Sequence, residues 1–207
     1  QGVQDSLTYV ENTMIIREYR ETDKEATRRI WKEVGWISDG EEDVIDYMLG
    51  IGHNMVADFD GVAECLVLSI PGDLDYLGNR LPFCGINGVT TSQLIRRRGA
   101  AGRTLAQNLA WNAQHGALVA GLGIFDQGFY NKLGFGCGPL VHSTSFDPRD
   151  LNVPISERMP VRLSAENWQE IHDARVARLR GHGSVSFKDA DFTRSGAAEG
   201  KKQAYGL

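Results

Sequence analysis

Hydrophobic and polar positions alternate with period two in IIREYR, residues 15–20, the pattern of a half-buried strand. The period then lengthens to that of a helix across ETDKEATRRIWKEVGW. There Ala26, Ile30, Trp31 and Val34 form one apolar stripe, and Thr22 or Asp23 can cap the start. Val44, Ile45, Tyr47 and Met48 recur at helical spacing in EEDVIDYMLG, which predicts a second, short helix. Two strand-like runs in NMVADFDGVAECLVLSI flank Asp60-Gly61, the favoured chemistry of a tight hairpin turn. LPFCGINGVTT is a further strand-like run, interrupted by Gly85 and Gly88. Leu105, Leu109 and Ala113, with Ala106 and Ala110 beside them, predict a helix that Gly116 ends. ALVAGLGIF is wholly apolar, as expected of a strand buried on both faces, and GFYNKLGFG follows as a short helical piece. This order predicts an α/β domain with a mixed central sheet flanked by helices, ending near Ser145.

A weak repeat lies beyond that boundary. MPVRLSAENWQEIHDAR, from Met159, matches MIIREYRETDKEATRRI, from Met14, in its Met, an apolar residue and its Arg, with Glu21 and Glu166 also in step. Further on, AEGKKQAYGL resembles the hairpin DFDGVAECL. The expected organisation is a domain over 14–145, the start of a second copy over 159–207, and an N-terminal extension over 1–13. A length of 207 residues leaves room for this.

Composition narrows the function. An apolar fraction of 42% with 24% charged residues is that of a globular protein, and no apolar run reaches the roughly 18 residues of a membrane span. The start of the chain has neither the basic nor the apolar segment of a secretory signal. A net charge of −5 without a basic stripe argues against a nucleic-acid surface. Cys65, Cys84 and Cys137, odd in number and widely spaced, read as buried free thiols of a reducing compartment, so a cytoplasmic location is expected. The five histidines and three cysteines lack metal-ligand spacing, and no metal is expected.

The strongest chemical signal is the junction QLIRRRGAAGRTLA. Arg96, Arg97 and Arg98 offer cationic forks that match phosphate oxygens. Gly99, Ala100, Ala101 and Gly102 let an anion approach the unpaired N–H groups that open a helix. A solvated arginine run before a capped helix is the plainer alternative. The nucleotide motifs fail: Gly200-Lys201 has Ser195 where a P-loop needs Gly, and Gly121-Leu122-Gly123 leads to Asp126 where a dinucleotide fingerprint needs Gly.

Arg96, Gly99 and Ala101, read as Arg-x-x-Gly-x-Ala, resemble the acyl-CoA pyrophosphate motif of the Gcn5-related N-acetyltransferases (GNAT). The resemblance extends from Ile15 to about Gly138 and includes GFYNKLGFG. It is nearest to the Eis-like branch, although Thr91, Gln93 and Leu133 depart from that branch's pattern. The resemblance implies a GNAT fold in which acetyl-CoA is the co-substrate and a primary amine the acceptor: an aminoglycoside, polyamine, lysine or other small amine. The strand carrying Val89, Thr90 and Thr91 would hold the pantetheine arm, and a backbone N–H near Thr91 would polarise the thioester carbonyl. Tyr130 would protonate the departing thiolate. Asp126 is a candidate base or proton relay, with Glu64 and His53 as weaker candidates. Trp36 would line the acceptor cleft, where the acidic run Glu41, Glu42, Asp43 could attract a polycation. A homo-oligomer is expected, in which the second copy completes the cleft rather than binding CoA. The competing class is a GNAT-like module that binds acyl-CoA or a partner without turnover.

Overall fold

The computed structural model describes residues 13–123, 127–138, 144–147, 150, 152, 159–199 and 204–206. Alternation in the first segment yields strand β1 (Met14–Glu18), and the lengthened period yields helices α1 (Lys24–Glu33) and α2 (Asp43–Leu49). Asp60 and Gly61, both in left-handed backbone (φ 54° and 84°), turn β2 (Met55–Phe59) into β3 (Val62–Tyr76). Leu77 and Gly78, with φ of 48° and 78°, then turn β3 into β4 (Asn79–Thr91). Helix α3 (Ala100–Gln114), strand β5 (Val119–Gly121) and helix α4 (Gln127–Asn131) follow. The strand order is β1-β2-β3-β4-β5, antiparallel except for the parallel pair β4–β5.

Strand β3 explains the layering. Leu66, Leu68 and Ile70 point to the face covered by α1 and α2, where they meet Trp31, Ile45 and Met48. Cys65 and Val67 point to the α3 face, where Ala100 and Leu105 cover them. A strand buried on both faces carries a near-continuous apolar run, as VAECLVLSI does but for Glu64 and Ser69. Three expectations change here. Strand β5 has three residues, all half-buried, because it pairs with β4 alone among the described residues. Cys65 and Cys84 are buried, whereas Cys137 is exposed. Asp23 precedes α1 but caps no helical N–H; its carboxylate binds Arg17 (2.7 and 2.9 Å) and the Arg20 N–H (2.8 Å).

The C-terminal segment comprises β6 (Val161–Leu163), a 3₁₀ turn (Ala165–Asn167), α5 (Trp168–Ala177), β7 (Val185–Ser186), α6 (Ala190–Glu199) and β8 (Ala204–Gly206). Strand β6 pairs antiparallel with β8, as β1 pairs with β2. Ala198 and Glu199 close α6 instead of opening the expected hairpin strand. The segment docks on the first domain. Strand β7 adds to β3 at Asp73 and Leu74, beyond the stretch that β2 occupies, and Ser195 Oγ donates to the Val44 carbonyl at 2.8 Å.

Ion pairs fasten α1 and α2. Arg28 Nε donates to Asp46 at 2.9 Å, and Arg17 bridges Asp23 and Asp58. Burial alone would raise the Asp46 and Asp23 carboxyls, but the hydrogen bonds and charges of Arg28 and Arg17 hold both below the ordinary 3.8. The unfolded chain therefore takes up these protons first as pH falls. The pairs' contribution is complete well above pH 3.8 and is lost as pH drops through the folded-state values. Thermal melts are expected to fall steeply below about pH 4, and less steeply in Asp46→Asn; identical pH profiles for variant and parent would contradict this assignment.

Candidate active site

The site begins where two parallel strands part. β4 and β5 pair from Phe83↔Val119 to Gly85↔Gly121. There β5 stops, while β4 continues to Thr91 with no partner on that edge among the described residues. Opposite the gap, β4 bulges. Leu66 faces Thr90 and Leu68 faces Asn87, so Gly88 and Val89 share the single residue Val67. Gly88 has φ of +57°, and a Cβ there would lie 2.7 Å from Leu68 Cδ1. Glycine is required on both counts. The freed main-chain edge can pair with an extended ligand arm, as an added strand would.

The side chains of Thr90 and Thr91 are occupied within the sheet. Thr90 Oγ1 donates to the Gly88 carbonyl at 3.3 Å, and Thr91 Oγ1 donates to Cys65 Sγ at 3.3 Å. What these residues can present to a ligand is their backbone.

Beyond Thr91, a 3₁₀ turn (Gln93–Ile95) buries Ile95 against Cys65 and Ala100. Arg97 and Gly99 then adopt left-handed backbone (φ 63° and 77°) and turn the chain into α3. Arg96, Arg97, Arg98 and Gly99 are exposed. None of the three arginines is ion-paired among the described residues; Arg96 Nε reaches the Thr91 carbonyl at 3.5 Å and Arg98 lies 5.5 Å over the Phe59 ring. The Arg103 N–H already bonds the Gly99 carbonyl at 3.1 Å. The N–H groups of Ala100, Ala101 and Gly102 precede that first helical bond and carry almost no side chain above them. Three open cationic forks beside three unpaired N–H groups on a 15-residue helix suit a pyrophosphate.

A cavity of about 370 Å³ lies beside the bulge. Residues 87–89 and 121–123 line one side and Tyr130 borders it from α4. Tyr130 is 9% exposed, with its ring edge-on to Phe129 at 5.0 Å and Phe135 at 6.0 Å. Trp36, held edge-on to Trp31 at 5.1 Å, enters from the loop between α1 and α2. The remaining walls include Ile70, Phe83, Phe187 and Phe192. Phe187 passes so close to β4 that a Cβ on Gly85 would lie 2.5 Å from its Cζ.

Tyr130, Trp36 and Val89 thus converge on one cavity, and the arginine junction lies at the end of the strand that borders it. Asp126 lies outside the described residues. Glu64 and His53 do not line the cavity. Glu64 is buried with Oε1 accepting from Arg29 at 2.9 Å. His53 is stacked on Trp111 at 3.6 Å, and burial lowers its pKa. Trp111 is therefore sandwiched between His53 and His115 rather than packed in the core. Phe187 and Phe192 escaped sequence reasoning at the level of single residues. Their only trace was Gly85, which with Gly88 suits a strand that bulges where a ligand approaches; the bulge is at Gly88, and Gly85 instead makes room for the Phe187 ring. Among the described residues, no cluster of three or more His, Cys, Asp or Glu could hold a metal, and no helix is long and apolar enough to cross a membrane.

A family model described as an acetyltransferase (GNAT) domain matches residues 15–138. No curated protein matches the chain. Among solved structures, a probable N-acyltransferase of unknown function from Enterococcus faecalis V583 aligns with a TM-score of 0.68 and 17% identity, over 88% of this chain and 48% of that one. Eis1 from Mycobacterium abscessus aligns at 0.64 and 19%, over 88% and 46%. A GNAT family acetyltransferase from Brucella melitensis, in complex with acetyl-CoA, aligns at 0.52 and 21%, over 65% and 94%. The chain spans about half the length of the first two structures, and at these identities the likeness is one of fold. With the family model covering the strands, the bulge, the arginine junction and α4, the chain belongs to the GNAT acetyltransferase family.

Proposed function

We propose that this chain transfers an acetyl group from acetyl-CoA to a primary amine by direct attack within a ternary complex. One observation carries the reading: the bulged edge of β4 and Tyr130 border one cavity, and the exposed arginine junction lies where that strand ends. Acetyl-CoA supplies the activated thioester. Arg96, Arg97 and Arg98, with the N–H groups of Ala100, Ala101 and Gly102, hold the pyrophosphate. The backbone of Val89, Thr90 and Thr91 holds the pantetheine arm and polarises the carbonyl. Tyr130 donates the proton that the departing sulfur takes up. Trp36 borders the amine. In this reading the protein is cytoplasmic and homo-oligomeric.

Arg97→Ala and Arg98→Ala are each expected to weaken CoA binding by about 1.5–3 kcal/mol, the worth of charge-assisted hydrogen bonds. Calorimetry on the pure protein measures this directly. Parent-like affinity in both variants would remove the cradle assignment.

The segment 159–207 fits the same proposal as the start of a second GNAT-like copy without an arginine-glycine junction of its own. Support comes from the order of strand, 3₁₀ turn, helix, helix and strand, which returns with the short strand β7 inserted between the two helices, and from the antiparallel closure of β6 with β8. Its role here is to wall the acceptor side of the cavity with Val185, Phe187 and Phe192.

A further inference from the structure

We infer that the acceptor is an amine with one basic nitrogen on an apolar, aromatic-sized body, and not a polycation; this rests on the acetyl-transfer reading above. The acceptor side of the cavity is built from Trp36, Ile70, Phe83, Phe187 and Phe192. Among the described lining residues there is no acidic side chain. Of the carboxylates near Trp36 that could draw a polycation, Asp39, Glu41 and Glu42 are engaged with neighbours, and the exposed Asp43 does not line the cavity. Glu41 accepts from the Ser38 N–H at 2.7 Å, and Asp39 and Glu42 both pair with Lys32, at 2.7 and 2.6 Å. On α6, Asp191 pairs with Arg194 at 2.7 Å.

The electrostatics follow from these pairings. A reacting amine must be neutral to attack, so its own nitrogen enters such a cavity without a charge to desolvate. Each further ammonium of a polyamine or aminoglycoside would stay charged and leave water for apolar walls, which is unfavourable when no carboxylate meets it. An aryl body instead gains from burial and from edge-on or offset ring contacts.

The aromatic wall is fixed rather than adaptable. Gly72 and Gly85 leave room for the Phe187 ring, which tilts against Phe83 at 6.1 Å and Phe192 at 4.8 Å. Arg175 donates to the Phe187 carbonyl and, at 3.0 Å, to Thr193 Oγ1, while its guanidinium lies 5.1 Å over the Phe192 ring. Phe187 and Phe192 therefore determine acceptor specificity. In the step they serve, the neutral nitrogen bonds to the acetyl carbon and the C–S bond breaks with its electron pair leaving on sulfur. The nitrogen releases one proton, the sulfur gains one, and the products are an N-substituted acetamide and the CoA thiol.

The test assays the full chain at saturating acetyl-CoA with phenethylamine, tryptamine, spermidine and kanamycin, reading thiol release and product mass. The aryl amines are expected to exceed the polycations in kcat/KM by at least about 10-fold, as an unpaired buried ammonium implies. Phe192→Asp, which supplies a carboxylate, is expected to shift that ratio toward spermidine, and Phe187→Leu to lower kcat/KM for the aryl amines. Unchanged CoA affinity by calorimetry certifies both variants as folded. Equal or better use of the polycations by the parent overturns the inference and leaves the acetyltransferase reading standing. CoA binding without consumption of either amine class also overturns it. A parent that binds no CoA sinks the proposed function itself.

Discussion

Tyr130→Phe is expected to lower turnover by about 10²–10⁴-fold, the usual worth of a positioned general acid, with CoA affinity nearly unchanged. The ring is 9% exposed and braced edge-on by Phe129 and Phe135, so phenylalanine keeps the packing while removing the hydroxyl. A thiolate must leave as the amine adds, and Tyr130 borders the cavity at the point where β4 and β5 separate. Removing the donor raises the barrier of that step and leaves the pyrophosphate cradle intact, so the loss belongs in kcat. Single-turnover thiol release with a competent amine reads it. Parent-like turnover in the Phe variant would mean that sulfur leaves unaided or takes its proton elsewhere.

Gly88→Val is expected to destabilise the fold by about 2–5 kcal/mol and to abolish the β4 bulge. Two costs add. A β-branched residue at φ +57° carries backbone strain, and its Cβ would stand 2.7 Å from Leu68 Cδ1 and 3.1 Å from Trp31 Cζ2, inside the core. For a chain of this size the loss corresponds to a drop of about 4–20 °C in Tm. Gly123→Ala is the control. A Cβ there meets nothing within 4 Å, and its φ is not in the left-handed region. Denaturant titration of the two variants separates the site-specific cost from a general cost of replacing glycine. A Gly88→Val protein as stable as its parent would show that β4 does not bulge at this position.

Both predictions concern residues that the sequence marks, yet it marks them unequally. Wherever local structure depends on consecutive residues, it was legible. Asp60-Gly61 turns because both residues tolerate left-handed backbone, and Gly116, with φ of 96°, ends α3 for the same reason. The cradle could be read because three arginines, small residues and a helix start follow one another along the chain, and a helix exposes its first N–H groups whatever surrounds it. The strand-like runs on either side of Asp60-Gly61 became β2 and β3.

The tertiary structure decided what depends on distant partners. Pro71 and Gly72 look like the end of a strand, but β3 runs on to Tyr76, and Gly72 is where Ser186 and Phe187 approach. The apolar run from Ala117 suggested a strand buried on both faces, yet β5 is short and half-buried and pairs with β4 alone among the described residues, because periodicity reports apolar character and not the number of neighbours. Asp23 reads as a helix cap until Arg17 is brought within 2.7 Å. Phe187 and Phe192, more than 100 residues from Phe83 in the chain, wall the acceptor side only after β7 has paired with β3 and α6 has docked on α2. Local chemistry names the groups proposed to hold a phosphate. The shape and charge of the acceptor cavity arise from side chains that share no sequence pattern, and only their packing brings them together.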